Sequence, residues 1–149
     1  MYATLKGLAA IVTLAAAAAC TDLRSEPLLP APETALEAKA GGTLTFTSTT
    51  SHSEEWPQTA VGTTGAIEFT GSLTTSTPCF DVRAAHRASG STITLTVTAR
   101  STGGTCIQVI THHNYQGAVS KLAPGTYTFE VVHDVGGRQT VFSEMVTVR

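Results

Sequence analysis

Thr92-Ile93-Thr94-Leu95-Thr96-Val97-Thr98 is the stretch that decides the fold class. On an extended strand successive side chains point to opposite faces, so Ile93, Leu95 and Val97 share one face and four threonines share the other. Thr43-Leu44-Thr45-Phe46-Thr47 repeats the pattern, with Leu44 and Phe46 on one face. Phe80, Val82 and Ala84 form a further set, as do Ile107 with Val109, and Tyr127 with Phe129 and Val131. Ala66 to Thr70 is a less regular strand candidate. Gln139 to Val148 reads as the last strand, with a change of phase near Ser143 that predicts a bulge. Ser89-Gly90, Gly103-Gly104, Pro124-Gly125 and Gly136-Gly137 separate the runs as turns, the two Gly-Gly pairs as hairpin turns. Short strands at this spacing predict an all-β, antiparallel sandwich or small barrel.

Composition narrows the setting. Only 13% of the 149 residues are charged, while 42% are hydrophobic, which argues against a disordered chain. Threonine suits the outer face of a strand and takes the place of charge there. A net charge of −2 without a Lys/Arg cluster argues against nucleic-acid binding.

The N-terminus carries a different signal. Lys6 precedes Gly7-Leu8-Ala9-Ala10-Ile11-Val12-Thr13-Leu14 and a run of alanines ending at Ala19. A basic start, a short apolar run and small residues before a cut outline a secretory signal peptide over residues 1–19. Gly7 to Ala19 is 13 residues, shorter than the roughly 20 that a spanning helix needs.

Leu14-Ala15-Ala16-Ala17-Ala18-Ala19-Cys20 resembles the lipobox of bacterial lipoproteins, although Ala17 stands where leucine is commonest. The resemblance implies that Cys20 is lipidated and becomes the first residue of the mature chain, anchoring it to the membrane of the cell envelope. Thr21, in place of an aspartate directly after the cysteine, leans towards the outer membrane of a host that has one. Plain signal-peptidase cleavage after Ala17-Ala18-Ala19 would cut the same bond. The cysteine count bears on the choice, because Cys20, Cys79 and Cys106 are an odd number for an oxidising compartment. Lipidation of Cys20 leaves Cys79 and Cys106 to pair, closing a loop whose cross-link is worth roughly 3 kcal/mol. Each lies out of phase with its apolar neighbours, so the bond should staple a strand edge or end. Residues 20–40, with Pro27, Pro30 and Pro32, read as a lipidated N-terminus and flexible linker, and 41–149 as the folded domain.

Leu122-Ala123-Pro124-Gly125-Thr126-Tyr127 resembles the approach to the penultimate strand of fibronectin type III and immunoglobulin-like domains. That resemblance implies an immunoglobulin-like β-sandwich with a tyrosine corner. Tyr127 would bond back to the backbone just upstream, and Leu122 would pack beneath it.

Catalytic chemistry is not signalled. His112 and His113 are neighbours that a strand would send to opposite faces. His133 would lie at a strand end, and His52 and His86 fall in turn or loop sequence. A His112–His133 metal site lacks a third ligand at suitable spacing. There is no Gly-x-Ser-x-Gly elbow or phosphate-binding glycine loop. The expectation is therefore a non-enzymatic module without cofactor or metal, serving in binding, adhesion or envelope architecture towards a protein or glycan. The alternative is a protease inhibitor or accessory subunit presenting Ser51–Thr64, with Trp56-Pro57, and a hydrolase with an unrecognised site comes third. The threonine ladder of Thr92, Thr94, Thr96 and Thr98 is a candidate recognition surface, or simply a soluble outer face.

Overall fold

The threonine-alternating stretch becomes an inner strand whose Ile93, Leu95, Val97 and Ala99 are fully buried. The structure is a computed structural model and describes residues 41–149. The signal peptide over 1–19, Cys20 and the linker over 20–40 lie outside the described residues. Eight strands follow in order: β1 Thr43–Ser51, β2 Thr59–Thr63, β3 Ala66–Thr75, β4 Phe80–Ser89, β5 Thr92–Ser101, β6 Thr111–Ser120, β7 Gly125–Asp134 and β8 Arg138–Val148.

They form two four-stranded sheets, β1-β6-β3-β2 and β4-β5-β7-β8, which pack as a β-sandwich. The expected all-β sandwich is thus present, and its topology is more specific than the expectation. β5 and β7 run parallel, whereas every other pairing is antiparallel. Parallel neighbours need a crossover of about a dozen residues or more, and here the crossover is β6, which belongs to the opposite sheet. The strand order therefore differs from the ABED/CFG arrangement of immunoglobulin constant domains.

The core lies between the inner faces. Ile67, Phe69 and Leu73 of β3 and Tyr115 and Val119 of β6 meet Ile93, Leu95 and Val97 of β5. Tyr127, Phe129 and Val131 of β7 and Val146 and Val148 of β8 complete it. Phe69 and Phe129 stack across the two sheets with ring centroids 5.7 Å apart. Removing either ring would cost about 3–5 kcal/mol, so this contact alone carries a large part of a small domain's stability.

Four local expectations are corrected. Ile107 and Val109 are not on a strand: residues 102–110 form the loop that carries the chain between sheets, and Ile107 is 67% exposed. The alternation is real, but a segment crossing between sheets has no strand beside it to pair with. Gly103-Gly104 belongs to the same crossover loop, with φ of 74° and 84°, and is not a hairpin turn. His86 sits within β4, opposite Leu95, and not in a turn. Ser51–Thr64 is only partly loop, because β2 occupies Thr59–Thr63. Two strands, β2 and β6, had no apolar alternation to announce them.

The bulge expected near Ser143 is found close by. Val131 pairs with Phe142 and Val132 with Thr140, so Val141 is the extra residue. At the sheet margin, Gly65 N donates to Arg149 O at 2.9 Å and Arg149 N donates to Thr63 O at 3.1 Å, tying β2 to the end of β8. Gly62 makes this approach possible, since a Cβ there would run into the Thr147 carbonyl. Gly62→Ala should therefore destabilise the domain by about 1–3 kcal/mol, as overpacking against backbone does, and urea unfolding will measure it.

Candidate functional site

Strand ends and turns position the residues singled out by the sequence. Cys79 immediately precedes β4, and Cys106 lies in the crossover loop after β5. They form a disulfide with Cα atoms 6.2 Å apart, across a sequence separation of 27. Thr102 N and Thr102 Oγ1 both donate to Cys79 O, at 3.0 and 3.2 Å, next to the terminal β4–β5 pair Phe80 and Ser101. The bond thus staples the open end of the β4–β5 hairpin, and it points to an extracytoplasmic location. At the other end, Tyr127 Oη donates to Ala123 O at 2.9 Å, the geometry of a tyrosine corner. Leu122 is buried and its N–H donates to Gly65 O at 3.0 Å, while Pro124 and Gly125 lead into β7.

The histidines are dispersed. His112 Nδ1 lies 3.0 Å from Thr74 Oγ1 on the outer face of the first sheet, and 4.0 Å from Glu55. His113 points inward, 3.0 Å from Thr75 Oγ1, while His52 lies 3.4 Å from Thr111 Oγ1. His133, on the second sheet, bonds Tyr115 of the first. The structure therefore does not bring His112 and His133 together on a common partner. Among the described residues, no group of three or more His, Cys, Asp or Glu side chains is placed to hold a metal ion.

The polar chain through Tyr115 has a defined direction. Tyr115 Oη donates to Gln58 Oε1 at 2.7 Å, so its one proton is used. His133 Nε2, 3.0 Å away, must then be the donor to the phenol oxygen. Gln58 Nε2 passes the chain on to Ser72 O at 3.0 Å, through space left by Gly71. Burial pushes the Tyr115 hydroxyl far above the usual phenol range, the Gln58 bond opposing it, so this group stays a proton donor. Burial likewise lowers His133 and His113 below 6.5. The Tyr115–His133 bond links the two sheets, while the His113–Thr75 contact lies within the first.

An open concavity lies on the outer face of the first sheet. It encloses about 490 Å³, within the range of small-molecule sites. Register places its floor in two rows. Thr45, Ala118, Glu68 and Val61 form one, and Thr47, Gln116, Thr70 and Thr59 the other. Gly117, between them on β6, has Thr45 O and the Phe69 ring where a side chain would start, so no larger residue fits. The row beyond holds Asn114 and Ser72, roofed by the loop after β1. Asn114 straps that loop, accepting from Trp56 N at 3.2 Å and donating to Glu54 O at 3.0 Å.

Sequence reasoning missed this trough because its residues come from four strands, β1, β2, β3 and β6. The threonine ladder of β5 is a different surface. Its outer positions are half-buried in a row flanked by Arg83 and Arg87 of β4 and Glu130 and Asp134 of β7. Thr94 donates to Glu130 at 3.4 Å, and Thr96 accepts from Arg138 at 3.3 Å, so part of the ladder is engaged within the sheet.

The lowered histidines set a pH dependence. With the folded pKa below the unfolded 6.5, the unfolded chain binds more protons, so stability is full above 6.5 and falls as pH drops towards the folded values. Melting curves should show Tm falling between neutral pH and pH 5. His133→Gln, which keeps a donor without a titrating ring, should flatten the fall.

A family model described as the ORF11 beta-sandwich domain matches residues 69–143, from β3 into β8. No curated protein and no solved structure matches the chain. The matched half contains the β5–β6–β7 crossover, both disulfide cysteines and the tyrosine corner. The chain belongs to the ORF11 beta-sandwich domain family.

Proposed function

We propose that this protein is an exported lipoprotein, tethered through Cys20, whose β-sandwich is a non-enzymatic binding module at the cell envelope. The observation that carries the binding role is the trough on the outer face of β1, β6, β3 and β2, open to solvent while Tyr115, Gln58, His133, His113 and Thr75 are engaged with one another. The anchor rests on the lipobox-like residues before Cys20 and on the cysteine count. With Cys79 and Cys106 bonded to each other, Cys20 is the one cysteine left over. The partner would be a protein or glycan of the envelope. Thr21 favours the outer membrane where the host has one, and the chain needs no cofactor for this role.

A second reading, as an inhibitor or accessory subunit, draws on the loop between β1 and β2. Asn114 fixes that loop at Glu54 and Trp56, and a loop held before binding loses less entropy when it docks. An enzyme recovered on a full-length bait, and lost with Asn114→Ala, would favour it over the trough.

The anchor is tested by growing cells on an alkyne-bearing fatty acid. The wild-type chain should carry the label and enter the detergent phase on partitioning. Cys20→Ala should lose the label and move to the aqueous phase, since stable anchoring needs more than one acyl chain. An unmodified thiol at Cys20 in the exported protein would contradict the assignment.

A further inference from the structure

The trough has a hydrogen-bond polarity that selects among ligands. Thr70 Oγ1 donates to Pro57 O at 3.1 Å, so the 2.7 Å contact between Thr59 and Thr70 uses the Thr59 proton. Thr45 and Thr47 aim their protons at the carbonyls of Ala118 and Gln116, at 3.4 and 3.5 Å. All four hydroxyl protons are directed into the protein. Thr45 Oγ1 also accepts from Ala118 N at 3.2 Å, and Thr70 Oγ1 accepts from Thr59. What remains for a ligand is the second lone pair of those two oxygens, the lone pairs of Thr47 and Thr59, the Glu68 carboxylate and the Gln116 amide. Glu68 is the one charged residue in the lining, so the surface is acceptor-rich with a single negative charge. Val61 and Ala118 add a small apolar contact beside it.

We propose that the trough binds a hydroxyl-rich glycan carrying free amines, that is, an amino-sugar oligomer with unacetylated amino groups. This rests on the reading of the domain as an envelope binding module and names its ligand. The arrangement fits because each such sugar brings several hydroxyl donors for the threonine oxygens and one ammonium for Glu68. A linear polyamine has the charge but no hydroxyls to satisfy the threonines. A fully acetylated oligomer has the hydroxyls but leaves Glu68 unpaired. The trough is open at the surface, so an ion pair there is modest and selectivity comes from the combination.

The test is an NMR titration of the full-length chain in detergent with three probes: a glucosamine tetramer, its fully N-acetylated counterpart and spermidine. The glucosamine tetramer should shift the amides of Thr45, Thr47, Thr70, Gln116 and Ala118 and bind at least tenfold more tightly than either other probe. Glu68→Gln, a surface change that leaves the fold intact, should weaken it about tenfold. Ala118→Leu, which fills the floor, should abolish it, with unchanged melting as the control for folding. Equal affinity for the acetylated tetramer, binding unaffected by Glu68→Gln, or no shift at these amides overturns the ligand assignment. Such a result would leave the anchor reading standing, because that is scored separately by the label on Cys20.

Discussion

A buried phenol has to place its hydroxyl, and the way Tyr115 does so organises this sandwich. Its ring lies on the inner face of β6, 5.7 Å from Phe46 and 6.5 Å from Phe69. Its oxygen reaches across the core to His133 of the other sheet and back to Gln58 before β2. An unpartnered buried hydroxyl would cost about 1–3 kcal/mol, so these three side chains must keep their places together. Gly71 is the accommodation on the neighbouring strand β3, since any side chain there would occupy the position of Gln58 and the Tyr115 hydroxyl.

The topology leads to the same strand. β6 lies between β1 and β3 in one sheet, and it is also the crossover that allows β5 and β7 to run parallel in the other. Its inward positions close the core through Tyr115 and Val119, and its outward positions build the trough through Gln116 and Ala118. The disulfide fixes where the chain leaves the second sheet, and the tyrosine corner fixes where it returns. β6 is thus tied near both ends and in the middle, which fixes the register of its outward side chains. For the proposed binding role, that favours a preformed face over closure around a ligand.

Much of this was legible from residues whose burial follows a simple period. β5 and β7 carry alternating apolar side chains because each shows one face to the core, and the cysteine count anticipated the pairing of Cys79 with Cys106. Leu122-Ala123-Pro124-Gly125-Thr126-Tyr127 announced its corner through a turn that only a few residue types make. β6 stayed hidden for an equally physical reason. Its inward positions are Thr111, His113, Tyr115, Gly117 and Val119, satisfied by hydrogen bonds and close packing instead of a hydrophobic stripe. The trough was hidden because it exists only once residues as distant as Thr45 and Ala118 are paired. Ile107 and Val109 misled in the opposite sense, since alternation predicts a strand only where a neighbour exists to pair with it.

Through Tyr115 and His133 the interior joins the two sheets by a polar link whose members should act cooperatively. A double-mutant cycle on Tyr115→Phe and His133→Leu, followed by urea unfolding, tests this directly. Each single change should destabilise the domain, and the pair should show a coupling of about 0.5–3 kcal/mol. Additive effects, with coupling near zero, would mean that Tyr115 and His133 are merely adjacent and that no cooperative link joins the sheets.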